Sequence, residues 1–378
     1  MYNRVLDESG ECDQETVKKD LYILAAGGTG GHLFPAVSLA CVLKSRGKSV
    51  ILFTDERAEK WVDHACFDRI VVSRFRPNAN ASQKIKKIIF IKGLVWCGIK
   101  SFLFLLWRRP AAVVGFGGYP SAPTVFAAQI LGIPSILHEC NAILGKANEI
   151  LAKRAKAITT GFKNVVKLPL QRNHVFTGNP VREKISQLAY TKYELPKDGV
   201  NIFIVGGSQG AGLFSRVVPE AIKCLSKECN RYNVRVIMQV SDTDRERVGL
   251  LYKQAGVDAT LAPFFQNMDE ILRWAHIVIS RSGALSLAEI AAAGVPSVLV
   301  PLASSRDGDQ LYNAAQYEQA GASVLIEEHA FTPETLTALL LELCSDHVAL
   351  QEMSKAAREM FVAGAAERLG AVVCGEKR

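Results

Sequence analysis

The sequence predicts an α/β protein of two doubly wound domains facing each other across a cleft, and three observations predict it. The 378 residues exceed the size at which a single hydrophobic core stops growing. Short apolar runs alternate with helical patterns from Leu21 onward, the rhythm of parallel strands joined by helices. A buried strand running into a glycine-rich turn occurs twice, as LYILAAGGTGGH at 21–32 and VNIFIVGGSQGAG at 200–212.

Taken in order, residues 1–20 carry six acidic side chains and no apolar core, which excludes a secretory signal and reads as a loose tail. The first domain is expected over 21–178. Its strands are LYILAA, SVILFT (49–54), AAVVGF (111–116) and PSILHE (134–139), with helices over Pro35 to Ser45 and in PTVFAAQIL. Near Thr177 the pattern restarts, which places a joint at Gly178 to Pro180 and a second domain over 179–355, continuing through VRVIMQV, IVISRSG and PSVLVP. A last helical stretch runs from about 348 to 367, and 356–378 reads as a C-terminal helix free to pack back on the first domain. Each half supplies a strand, a loop and a helix start, the opening of a Rossmann-like domain.

Composition narrows the function less. Apolar residues make up 49% and charged residues 22%, the balance of a folded chain. A net charge of +8 suggests an anionic partner without saying which. Nine cysteines show no zinc spacing and read as thiols of a reducing compartment; Cys224 and Cys229 are the nearest pair in sequence.

Chemistry concentrates in the loops. Gly27-Gly28-Thr29-Gly30-Gly31-His32 follows a strand, and Pro35 suits a first helical turn. Glycines there admit a phosphate or sugar close to the backbone, and a helix N-terminus favours negative charge. A bare tight turn would need fewer glycines. A dinucleotide site, with Asp55 as ribose acid, fails because Leu33 falls at the third glycine of GxGxxG. His32 is placed to accept a proton from an attacking hydroxyl, although a lone histidine is more often structural.

The second loop, Gly206-Gly207-Ser208-Gln209-Gly210, offers Ser208 and backbone N–H groups to a diphosphate. The helix opening near Ala284 offers another set, and Glu289 can accept two ribose hydroxyls, against the bland reading of an exposed helical glutamate. Asp242/Asp244 and Asp307/Asp309 look like metal-binding DxD pairs but read better as helix and turn caps. With two helix mouths and Arg182 to balance a diphosphate, neither a metal nor a cofactor is expected.

Lys84 to Pro110 holds seven basic residues, no acidic one and two tryptophans. Lys92 and Lys100 interrupt it too often for a membrane span. A helix lying on an anionic membrane fits better, with Ile85, Ile88, Ile89, Trp96, Phe102 and Trp107 as apolar contacts; the rival is a buried helix pair with snorkelling lysines. No nucleic-acid module is present in the sequence, and no nucleic-acid partner is expected.

These residues resemble the MurG family, the UDP-N-acetylglucosamine transferases of glycosyltransferase family 28 that act in peptidoglycan synthesis. The resemblance rests on GGTGGHLFPA (27–36), GFGGYPSAP (115–123), HECN (138–141), GNPVR (178–182), GGSQGA (206–211), RSGALSLAEIAAAGVPSVLVP (281–301) and DQLYNA (309–314), in family order across nearly the whole chain. It implies a GT-B architecture and an inverting transfer from UDP-N-acetylglucosamine to lipid I, giving lipid II. It implies a peripheral enzyme on the cytoplasmic face of the inner membrane, with cell-wall synthesis and division proteins as partners. Carried over by position, Thr29, Gly30, Gly31, Asn141, Arg182, Ser208, Ala284, Leu285, Ser286, Leu287, Ala288, Glu289 and Gln310 contact the donor. Phe265 offers its main chain to uracil, and His32 is the general base or a positioning group.

Three departures stand out: Cys140 and Asp309 each replace a glutamine usual in the family, and the basic apolar stretch is long. The competing functions are a related enzyme for another sugar, which Asn141 and Gln310 would discriminate, and a silent nucleotide-sugar binder, which has no need to keep His32 and Glu289.

Overall fold

A computed structural model of the chain describes residues 20–376 except 29, 60–61, 63, 74–82, 120, 170–172 and 229–232, with backbone alone at 83–88, 90, 207–211, 228 and 306. The expected N-terminal tail lies outside the described residues but for Asp20.

The first sheet holds β1 (Leu21–Ala25), β2 (Ser49–Asp55), β3 (Arg69–Ser73), β4 (Ala112–Gly115), β5 (Ser135–Glu139), β6 (Ala157–Thr160) and β7 (His174–Phe176), in the order 3-2-1-4-5-6-7. The second holds β8 (Gly199–Val205), β9 (Asn233–Gln239), β10 (Asp258–Ala262), β11 (Ile277–Ser280), β12 (Ser297–Leu299) and β13 (Ser323–Leu325), in the order 10-9-8-11-12-13. β1 pairs in parallel with β2 and β4, and β8 with β9 and β11. Strand order therefore reverses between β1 and β4 and again between β8 and β11. At such switch points, crevices open at the carboxyl ends of the strands. All five residues of β1 are buried, as strands covered on both faces require.

Helix α1 (Gly30–Ser45) begins earlier than the sequence suggests, so Pro35 lies inside it and not in its first turn. A proline ring presses on the carbonyl four residues back, here that of Gly31, where the absence of a side chain eases the adjustment. The expected single stretch at 348–367 is two helices, His347–Met360 and Ala365–Cys374, broken by a turn in which Gly364 has φ +67.

Helix α2 (Gln83–Arg108) packs on α3 (Ala122–Ile130) through small and polar groups. Ser101 bonds Thr124 at 3.0 Å, Cys97 donates to Ser73 at 2.8 Å, and Leu105 is buried. Seven of its large apolar side chains point outward: Ile91, Val95, Ile99 and Leu106 are exposed, with Leu103 at 60%, Trp96 at 56% and Trp107 at 73%. At 100° per residue these positions fall on one face. Lys100 lies 5.3 Å from the Trp96 ring and Arg108 5.3 Å from that of Trp107. Of the contacts expected from sequence, Trp96 and Trp107 are on this face, Ile89 and Phe102 are half-buried, and the side chains of Ile85 and Ile88 lie outside the described residues. Among the described residues no helix is long and apolar enough to cross a membrane.

The chain divides into two compact units, one of Met1–His138, Ile150–Ile158 and Gly370–Arg378, the other of Glu139–Glu149 and Thr159–Leu369. In the second, Val200, Ile202 and Ile204 of β8 form a core with Phe214, Val236, Ile279 and Val298, and Phe214 meets Phe331 at 5.5 Å.

Candidate functional site

In the second unit the adjacent strands β8 and β11 each run directly into a helix. β8 leads through Gly206 into α4 (Gly207–Glu228), and β11 leads through Arg281, Ser282 and Gly283 into α5 (Ala284–Ala293). Arg281 N donates to Val205 O at 3.3 Å, so the two helix starts follow neighbouring strand ends. First-turn N–H groups have no acceptor within their own helix, and two such sets side by side suit a diphosphate. The backbone of Ser208 lies in the first turn of α4; its side chain is outside the described atoms.

Glu289 sits in the second turn of α5, 7% exposed rather than solvated. Arg182 donates to its Oε1 from Nε at 3.3 Å and Nη2 at 3.1 Å. Burial pushes the Glu289 carboxyl above the ordinary range, and the Arg182 charge and hydrogen bonds pull it back. The two residues expected to face different parts of a nucleotide are thus each other's partners.

A buried amide that the sequence did not single out ties the site together. Asn313 Nδ2 donates to Asn141 Oδ1 at 3.1 Å and to Ser282 O at 3.0 Å, and its Oδ1 accepts from Ala142 N at 2.7 Å. Asn141 is set from its other side by Glu139, which accepts from Asn141 N at 3.0 Å, Gly145 N at 3.0 Å and Asn148 Nδ2 at 2.9 Å. Burial raises the Glu139 carboxyl, and these donors oppose the shift. Cys140 is buried between them, its thiol pushed up by burial and by the Glu139 charge.

Gln310, in the first turn of the helix Asp309–Gln319, accepts Leu302 N at its Oε1 (3.0 Å) and Ser282 Oγ at its carbonyl (2.7 Å). Asp309 accepts Gln310 N at 2.8 Å. Asp307 is paired with Lys146 at 3.1 Å, and Asp244 accepts from Arg247 at 2.9 Å in the first turn of its helix. Arg281, missed from sequence, is a buried brace: it donates to Val300 O (2.9 Å), Pro301 O (3.2 Å) and Glu328 Oε1 (2.6 Å), with Phe214 beneath at 5.0 Å. Burial works against Glu328 ionisation, yet Ala303 N–H and Arg281 hold its carboxyl below the usual range. Phe265 is half-buried, edge-on to Phe203 of β8 at 6.1 Å.

Helix α5 ends on Gly294, φ +64, where Arg358 donates to Ala293 O at 3.1 Å. The same guanidinium reaches Leu188 O at 3.2 Å and Ala189 O at 3.1 Å.

In the first unit, Gly30, Gly31 and half-buried His32 occupy the first turn of α1; Thr29 lies outside the described residues. Asp55 shapes the loop before them. Its Oδ1 accepts Gly28 N at 3.1 Å and Ala58 N at 3.2 Å, and its Oδ2 accepts Arg57 Nη2 at 2.6 Å. Gly28 has φ +91, a conformation that favours glycine. The acid that looked like a ribose ligand in sequence is engaged with backbone.

Two doubly wound parallel sheets, each with a glycine-rich helix start at its switch point, give the GT-B architecture, and the family comparisons make the class a glycosyltransferase. Residues 22–160 match the glycosyltransferase family 28 N-terminal domain and 201–369 its C-terminal domain, and the chain belongs to that family, in its MurG branch. It is 39% identical over 358 residues to the UDP-N-acetylglucosamine–N-acetylmuramyl-(pentapeptide) pyrophosphoryl-undecaprenol N-acetylglucosamine transferase of Sinorhizobium fredii, covering 94% of this chain and 95% of that one. The protein of the same name from Rhizobium etli is 41% identical over 347 residues, covering 90% and 91%. The crystal structure of Acinetobacter baumannii MurG superposes with a TM-score of 0.76 at 28% identity, covering 94% of this chain and 99% of that one.

Proposed function

We propose that the chain transfers N-acetylglucosamine from UDP-N-acetylglucosamine to lipid I, undecaprenyl-diphospho-MurNAc-pentapeptide, with inversion, giving lipid II. The observation that carries this reading is coverage of nearly the whole chain, at 39–41% identity, by relatives named for that transfer.

In this reading the N–H groups around Ser208 and Ala284 take the diphosphate and Arg182 offsets its charge. Glu289 takes the ribose hydroxyls, with Leu285, Ser286, Leu287 and Ala288 presenting the helix wall. The Phe265 main chain meets uracil. Asn141 and Gln310 read the sugar hydroxyls, and Thr29, Gly30 and Gly31 complete the donor contacts. What supports the assignment is connectivity: Asn141, Ser282 and Gln310 are linked through Asn313 and the Ser282 hydroxyl, and α5 joins them to Glu289 and Arg182. As the acceptor oxygen bonds to the anomeric carbon, its proton passes to His32 and the bond to the diphosphate oxygen breaks. UDP leaves with that electron pair, stabilised by the helix starts and Arg182.

The outward apolar face of α2, with Lys100 and Arg108 against its two tryptophans, supports peripheral binding to anionic lipid; we assign that lipid to the cytoplasmic face of the inner membrane, with cell-wall synthesis and division proteins as partners. We take the domains as 21–178 and 179–355, with 356–378 a C-terminal helical segment; the two sheets, ending at Phe176 and beginning at Gly199, support that division.

The test is transfer of labelled N-acetylglucosamine to a lipid I analogue, with UDP-glucose and UDP-N-acetylgalactosamine as controls and EDTA present. Turnover selective for the first donor is expected. Saturable donor binding with no turnover would overturn the acceptor assignment.

A further inference from the structure

Two thiols 25 residues apart in sequence, Cys41 on α1 and Cys66 in the helical turn His64–Cys66, meet with their sulfurs 2.9 Å apart. Neither belongs to a cysteine motif. Fold alone brings them together, on the connection between β2 and β3. The cradle is well fixed: Phe67 is buried, Asp68 accepts Val50 N at 2.7 Å and pairs with Lys44 of α1, and Asp68 N donates to Val50 O at 2.9 Å. Cys41 is exposed, so a small oxidant can reach it, whereas Cys140 and Cys344 are buried. A disulfide needs a sulfur separation of about 2.05 Å, and from 2.9 Å small side-chain rotations close it.

We propose that Cys41 and Cys66 form a reversible disulfide in response to low-molecular-weight disulfide oxidants of the glutathione type. One thiolate attacks the oxidant's sulfur and releases one reduced thiol, leaving a mixed disulfide. The second thiolate attacks the protein-side sulfur and releases the other. Two protein thiols are oxidised, one small disulfide is reduced to two thiols, and the two protein protons end on those products. The bridge ties α1, whose first turn carries His32, to the β2–β3 connection, and closes a loop whose freedom is lost mainly from the unfolded chain.

The test incubates the full chain with oxidised glutathione and reads intact mass, cross-linked peptides and melting temperature. Expected are the loss of two hydrogens, a peptide joining Cys41 to Cys66, and a melting temperature raised by about 5 °C or more that dithiothreitol reverses. Cys41→Ser and Cys66→Ser should show neither the cross-link nor the rise. A stable glutathione adduct on wild type without that cross-link, or a cross-link joining other cysteines, overturns the proposal, and this readout does not depend on either variant folding.

Discussion

Arg182 reaches Glu289 with two N–H groups, and both bonds end on one carboxylate oxygen, Oε1. The pair joins the segment after Pro180 to the helix Ala284–Ala293, on a glutamate that is almost fully buried.

Arg182→Ala leaves that carboxylate buried without its cation. The loss of stability should be about 1–2 kcal/mol, below the figure for a fully buried pair because a third of the arginine is exposed. In the donor reading, UDP affinity falls at least roughly tenfold, the size of one charge-assisted contact. Calorimetric titration of UDP checks it; unchanged affinity removes Arg182 from the diphosphate site.

Asn313→Ala strips three hydrogen bonds from a fully buried side chain, two of them to buried partners. Denaturant midpoints should report a loss of about 2–4 kcal/mol. KM for UDP-N-acetylglucosamine should rise at least severalfold as Asn141 loses its support. Wild-type KM in a folded variant would mean that Asn141 does not read the donor.

His32→Ala should lower turnover by about 10²–10⁴-fold, the usual worth of a general base, with little change in donor affinity. Equal turnover would sink the assignment; a proportional loss in both quantities would make His32 a donor ligand.

Burial, with the Arg235 charge nearby, holds His276 down at about 4, and its Nδ1 accepts Asn201 N–H at 3.1 Å. An unfolded chain takes up that proton near 6.5, the native chain only near 4, so stability contributed by this group is present above 6.5 and is lost as pH falls through the interval. Partial exposure limits it to about 1–2 kcal/mol. Urea midpoints across the window should slope upward with pH, and His276→Gln should flatten the slope.

Replacing Trp96 and Trp107 by serine removes the two exposed rings flanked by Lys100 and Arg108. Sedimentation with anionic vesicles should drop severalfold, while the melting temperature stays within a few degrees because neither ring is in the core. Undiminished sedimentation would remove this face from lipid binding.

The most buried strands were the most legible part of the molecule, while β3, β6, β7, β10 and β13, shorter or more exposed, went unread. Buried parallel strands are unbroken apolar runs, so LYILAA, PSILHE and IVISRSG announce themselves, and the two glycine-rich loops fall after β1 and β8 as read. Helix boundaries were less so, because Pro35 looks like a start signal and its true position depends on two glycines yielding in front of it. In the candidate site the presence of the helix starts was legible, because a glycine cluster directly after a buried strand marks the opening of a helix, as at Gly30 and Gly207. The site was illegible where a polar group serves by being buried: Asn313 and Glu139 sit unremarked inside motifs, and Asp55, weighed as a ribose acid, holds backbone. Sequence spacing cannot show which amide a fold will bury. The thiol pair is the same kind of omission, since only the packing of α1 on the turn at 64–66 brings Cys41 to Cys66.

The cap that Arg358 places on Ala293 spans 65 residues of sequence. During synthesis the helix Ala284–Ala293 leaves the ribosome long before the guanidinium that ends it, and until then its last carbonyl must settle for water. That helix is therefore made early and finished late, its C-terminal end completed only once the segment around residue 358 has emerged and docked.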